Sequence, residues 1–155
     1  MAGICLNQNM IFYLSNRLKL FISLSYFSIL IYIVFLARRR KLPVGESDRL
    51  NLVPLKKSIA LLSKHLALNF LNIYYFYAEP IGNIAIFIPF PFCVAFLLNT
   101  DNYKKLLFLG FIASLFIECT QYVLHIGVAD IDDILLNTTG AFIGITILKF
   151  IKRRK

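Results

Sequence analysis

Long apolar runs separated by short clusters of charge organise this chain. The run from Leu18 to Ala37 is long enough to cross a bilayer, at about 1.5 Å per residue against a hydrocarbon core of about 30 Å, and Arg38, Arg39, Arg40 and Lys41 end it. No small-residue cleavage site accompanies it, so it reads as an uncleaved first span. Leu42 to Pro54 reads as a loop, with Pro43, Gly45 and a turn-like Asn51–Pro54. From Leu55 to Tyr77 the pattern turns helical: Lys57, Lys64, His65, Asn69 and Asn72 group on one side, and Ile59, Leu62, Leu66, Phe70 and Ile73 on another. Such a segment is expected to lie in the membrane interface, although its length would also allow a fifth span. Glu79, Pro80 and Gly82 are expected to break that helix. A second span then runs from about Ile81 to Leu98, interrupted by Pro89 and Pro91, whose rings each remove a backbone donor. A third follows from Leu106 to about Leu124, and a fourth from about Ile131 to Ile151 before the basic tail Lys152–Lys155. The expected fold is all-α: one integral membrane helical bundle of four transmembrane helices plus an amphipathic interfacial helix, taken as a single domain over 1–155.

Composition agrees with this class. The chain has 155 residues and is 59% hydrophobic, more apolar surface than a soluble domain of that size can hide. Its net charge of +9 sits at the flanks of apolar runs and forms no basic stripe with interleaved aromatics. Topology control and anionic headgroups therefore explain it better than nucleic acid does. Cys5, Cys93 and Cys119 are scattered, with no spacing suited to zinc or a disulfide framework. No cofactor, resident metal or nucleic-acid partner is expected, and membrane lipids are the expected surroundings.

Against this background the stretch Ser114–Gly144 is unusual, because it sets carboxylates and amides among lipid-soluble residues, where each is expensive to keep. Ser114, Glu118, Gln121, Tyr122 and His125 fall at helical intervals; Asp130, Asp133 and Asn137 do the same after a break at Gly127. A hairpin around Gly127 would turn both stripes toward each other near one membrane surface. Basic flanks place that surface outside whether there are four spans or five, although with four the Arg38–Lys41 run also falls outside, against the positive-inside tendency.

The candidate residues each carry a plainer reading as well. Glu118, inside the third span, suits a general acid or proton relay, or a hydrogen bond to Gln121 or Asn137. Asp130 is a good helix N-cap and, with Asp133, complements a positive helix end, while Asp132 points away toward solvent. Asn83 reads as an N-cap opening the second span or as a polar partner reaching the cluster. Asn137 is costly in hydrocarbon unless bonded. The Gly140-x-x-x-Gly144 spacing admits close approach of another helix, expected to be the third span, where Gly110 and Ser114 offer a small facing surface. His125 reads as an interfacial surface residue. Glu118, Asp130 and Asp133 also offer the oxygen ligands that hard cations take, but without a metal-loop spacing. No nucleophile elbow, glycine-rich phosphate loop or zinc-protease motif occurs.

The ordered blocks NLVP at 51–54, GNIAIFIPF at 82–90, SLFIECTQ at 114–121 and GVADIDDILLNTTGAFIG at 127–144 resemble the VanZ family of small bacterial membrane proteins. The resemblance covers most of 51–144. It implies family positions at Asn83, Pro89, Glu118, Gln121, Asp130, Asp133, Asn137 and Gly140, a multi-pass cell-membrane location, and a link through the family's namesake to low-level teicoplanin resistance. Pro91 replaces a glycine common in relatives, and only His125 stands near where many carry an arginine. The resemblance implies no settled biochemical activity; a polar cleft beside lipid-facing walls suits an amphiphile, so the leading expectation is binding of a lipid-linked cell-wall precursor or a lipoglycopeptide at Asn83, Gln121, Asp130, Asp133 and Asn137. The alternatives are a membrane-embedded enzyme using Glu118 as acid/base, and a non-catalytic structural protein.

Overall fold

The computed structural model describes residues 14–37, 50–54 and 70–153, apart from the side chains of residues 37, 70–76 and 79. Helix α1 (Asn16–Ile31) starts at Ser15, whose hydroxyl accepts from the Leu18 N–H, and continues as a π-helical turn, Tyr32–Ala37. A two-residue strand β1 (Leu50–Asn51) precedes α2 (Phe70–Phe87) and α3 (Phe90–Leu98). Helix α4 (Tyr103–Val123) then leads through a short turn to β2 (Ala129–Asp130) and α5 (Ile131–Arg153). Among the described residues, four stretches are long and apolar enough to cross a membrane: Asn16–Leu36, Pro80–Leu98, Tyr103–Val123 and Ile131–Arg153. The predicted four-span helical bundle is the architecture observed.

Two proline effects separate expectation from structure. Helix α2 does not break at Glu79–Gly82; it runs through Pro80 to Phe87. A proline costs a helix one hydrogen bond, but in hydrocarbon a broken backbone would expose more unsatisfied groups than the helix loses, so helix persists where packing supports it. The real interruption is at Ile88–Pro89. There Phe92 and Cys93 restart the helix by donating to the Pro89 carbonyl at 3.1 and 3.2 Å. Carbonyls around such a break need partners inside the protein, and α1 supplies donors: the Tyr26 hydroxyl reaches the Ile86 carbonyl at 2.9 Å, and Ser23 Oγ reaches the Cys93 carbonyl at 3.3 Å. Phe27 meets Phe90 edge-on with ring centres 6.0 Å apart, and Phe90 stacks on Phe87 at 5.5 Å. Those rings, with Leu106, Ile145 and Leu148, form the buried core.

Gly140 and Gly144 do not face the third span as expected. They lie against α2 and the break beyond it, where a Cβ would overlap the carbonyl oxygens of Ile84 and Ile88. Small residues at helical spacing mark a smooth face without saying which neighbour it meets. Gly110 and Ser114 do face α5, Gly110 against Ala141 and Ser114 against Asn137.

The ends of the bundle differ. At one end, Lys152 pairs with Asp101, the Lys149 ammonium lies 4.9 Å from the Tyr103 ring centre, and Asn16 and Lys19 approach Asn99. At the other end, Gln121 donates to the Val34 carbonyl, Asn51 to Asp130 and Asn83 to Asp133. The last turn of the first span, Asn51 and the entry to the second span therefore share the end that carries the Gly127 turn. The alternative of a fifth crossing by Leu55–Tyr77 rests on the same segment as the expected interfacial helix. The expected interfacial helix falls largely on 55–69, outside the described residues; 70–77 belong to α2.

Gly144→Leu is expected to destabilise the bundle by about 1–3 kcal/mol or more, the usual range for overpacking, because the clash is with backbone. Thermal unfolding of the purified protein in mild detergent checks this, with Phe142→Leu, on an exposed position of the same helix, as the tolerated control.

Candidate functional site

Both polar stripes converge. Glu118 and Gln121 of α4 and Asp133 and Asn137 of α5 are buried beside Asn83 of α2, and Asp130 of β2 is buried at the mouth of the same helix pair. All six predicted residues thus gather at one end of the bundle. Burial this deep demands partners, since an unbonded polar group away from water costs about 1–3 kcal/mol. The Asn83 Nδ2 donates to Asp133 Oδ1 at 2.5 Å, Asn137 Nδ2 to Ser114 Oγ at 2.9 Å, and Gln121 Nε2 to the Val34 carbonyl at 3.1 Å. The Asp130 backbone N–H donates to Glu118 Oε2 at 3.0 Å. Each bond joins two different elements, so together they fix which helix meets which and at what register.

Several roles differ from those the spacing suggests. Asn83 caps nothing: it lies inside α2, 1% exposed, and ties that helix to α5. Glu118 holds the backbone of β2, while the Gln121 and Asn137 amides, its expected partners, donate to Val34 and Ser114. Asp130 combines both of its readings. Its Oδ1 accepts from the Asp132 N–H at 3.0 Å, the N-cap geometry for α5, and also from Asn51 Nδ2 at 3.0 Å. Asp132 is half-buried and not fully in solvent. Tyr122, still within α4, lies on the outer side, and His125 lies beyond the helix, which ends at Val123; both are exposed.

The turn has its own logic. Its left-handed residue is His125, at φ 57°, rather than Gly127. Gly127 instead allows a close approach: a Cβ there would sit 3.2 Å from Gln121 Oε1, so that side chain would have to shift by a few tenths of an ångström.

Asn51 joins the site unannounced by any helical spacing. The parallel pairing of Leu50 with Ala129 and Asn51 with Asp130 carries its side chain onto the carboxylate that caps α5. Its signal in the sequence is the NLVP block, whose turn-like composition hides a residue that pairs at long range.

Two spaces adjoin the cluster. An internal void of about 10 Å³, bordered by Asn83, Glu118, Gln121, Asp133 and Asn137, has room for about one water. The Asn137 Oδ1, buried there without a hydrogen-bond partner, is an acceptor such a water would satisfy. On the outer side, a groove of about 460 Å³ runs between α4 and α5, walled by Phe111, Leu115, Cys119, Tyr122, Ile134 and Leu135, with Leu50 and Leu52 lining it as well. Glu118 and Asp130 form its floor. Among the described residues no three His, Cys, Asp or Glu side chains gather as metal ligands.

The VanZ/LLP1 family model matches residues 21–152. The chain belongs to the VanZ/LLP1 family. Over 76 residues it is 38% identical to Protein VanZ of Enterococcus faecium, a match that covers 46% of this chain and 44% of that protein. The match therefore spans less than half of that VanZ protein. No solved structure matches the chain. In this VanZ/LLP1 member the blocks that carry the family pattern are the ones that meet in space: NLVP reaches the last aspartate block through Asn51, and GNIAIFIPF reaches it through Asn83.

Asn51→Ala is expected to cost about 1 kcal/mol, the ordinary worth of one such bond, and to speed amide exchange at Ala129–Asp130 while leaving the spans unchanged. Hydrogen–deuterium exchange by mass spectrometry in detergent measures both effects.

Proposed function

We propose that this VanZ/LLP1 protein acts in the bacterial cell membrane, where its acidic, amide-rich end faces outward and binds the polar part of a lipid-linked or lipidated envelope ligand, lowering susceptibility to teicoplanin-type lipoglycopeptides. The observation that carries this reading is the meeting of Glu118, Gln121, Asp130, Asp133, Asn137 and Asn83 at one end, next to a groove walled by apolar side chains. An amphiphile needs that combination, a polar anchor beside an apolar wall. The namesake relationship supports the resistance context.

Charge supports the orientation, with the exception of the Arg38–Lys41 run that follows the first span and falls on the outer side in a four-span arrangement. Arg17, Lys19, Lys104, Lys105, Lys152 and Arg153 belong to the opposite end, whereas Glu118, Asp130, Asp132 and Asp133 belong to this one. Basic residues flanking spans favour the cytoplasm, which leaves the Gly127 turn outside.

Expression in a susceptible host is expected to raise the teicoplanin concentration needed to stop growth. Glu118→Ala, Gln121→Ala and Asp130→Ala are each expected to abolish that protection at unchanged membrane level, and Glu118→Gln to retain more of it than Glu118→Ala. In the same cells a cysteine replacing exposed His125 reacts with an impermeant maleimide. Full protection from the three alanine variants, or labelling of His125→Cys only after the cells are opened, would refute the reading.

A further inference from the structure

The groove between α4 and α5 has a wall chemistry at odds with its floor. Glu118 and Asp130 lie beneath it, yet they are 4% and 2% exposed, so an occupant meets hydrocarbon almost everywhere. Along the apolar walls a peptide backbone would leave most of its hydrogen-bonding groups without partners. The walls are continuous with the lipid-facing surface of the bundle, since Phe111, Leu115 and Leu135 stand partly exposed on the outer faces of two membrane-spanning helices.

Length and position narrow the occupant further. The wall on α4 reaches from Phe111 to Tyr122, about 16 Å of helix rise, which is roughly half of a ~30 Å hydrocarbon core. The groove thus extends from the membrane boundary at the Gly127 turn to the bilayer midplane, the depth of one leaflet. Its end nearest the turn is lined by Leu50 and Leu52, which flank the Asn51 that bonds Asp130. A volume of about 460 Å³ lies within the range of built small-molecule pockets, about 300–1,000 Å³.

We propose that this groove holds one acyl chain of a bilayer phospholipid, drawn from the leaflet on the side of the Gly127 turn, as a bound lipid distinct from those that merely surround the bundle. Acyl chains are the solvent of this surface, so by mass action they occupy it first. This lipid site does not depend on the polar-ligand proposal: a lipidated ligand using the same groove would have to displace the resident chain.

The test uses the full-length protein in nanodiscs of phosphatidylcholine with a photoreactive diazirine midway along one acyl chain, followed by irradiation and residue-level mass spectrometry. Adducts are expected at Cys119, Tyr122 and Leu135 several-fold above those at Phe108, Phe142 and Phe150, which are exposed on open faces. Leu135→Trp is expected to bring the groove signal down to the open-face level while Phe142→Trp leaves it unchanged; Leu115→Trp serves if Leu135→Trp loses its thermal transition. Even labelling of groove and open faces would overturn the proposal, as would groove labelling indifferent to both tryptophans in folded protein. So would efficient Cys119–Cys119 crosslinking in a Cys5→Ser background, because a second copy would then cover the groove. Loss of antibiotic protection in the Glu118 or Asp130 variants reads a different property and neither supports nor sinks this result.

Discussion

Polar side chains placed among hydrocarbon have one inexpensive course, which is to find each other, and that constraint shapes this molecule. Asn83 on α2, Gln121 on α4, Asp130 on β2 and Asp133 and Asn137 on α5 meet at one end, and their bonds also reach Ser114, Val34 and Asn51. In membranes such bonds average only about 0.6 kcal/mol and reach about 1.7. They therefore choose the arrangement of helices more than they supply its stability. Stability comes from close packing, where α5 offers backbone at Gly140 and Gly144 to the carbonyls of Ile84 and Ile88. The two devices cooperate: close approach of α2 and α5 lets the short Asn83 side chain reach Asp133, and that bond fixes the register at which the glycines meet those carbonyls.

The same logic runs through the break in the second span. Pro89 interrupts the helix, Tyr26 and Ser23 of α1 donate to carbonyls around the gap, and Phe27 packs on Phe90 beside it. The first span is thereby held at mid-membrane by the break and at the Gly127 end by Gln121. Its outer surface is otherwise exposed, as expected of a helix that faces lipid along most of its length.

The four spans found among the described residues are legible in the sequence from the length of their apolar runs. The site residues on α4 and α5 are legible because a polar side chain inside an apolar run is too costly to keep without a buried partner, and helical spacing tells which of them share a face. What spacing does not provide is the partner itself. Asn83 looks like a cap because Pro80 and Gly82 precede it, and the rule that proline ends helices holds best where water can satisfy the freed backbone. Gly140 and Gly144 advertise a close contact but name no neighbour. Asn51 lies in a turn-like tetrapeptide, and its meeting with Asp130 spans 79 residues of chain, a long-range pairing that no local pattern encodes. Tyr122 and His125 match the periodicity but are exposed, Tyr122 on the outer side of α4 and His125 beyond its end.

If the polar residues act as a coupled seam between α2 and α5, a double-mutant cycle on Asn83 and Asp133 measures that coupling directly. Unfolding free energies of Asn83→Ala, Asp133→Ala and the double variant in bicelles are predicted to be non-additive by about 0.5–2 kcal/mol. Strict additivity of the two substitutions would contradict it.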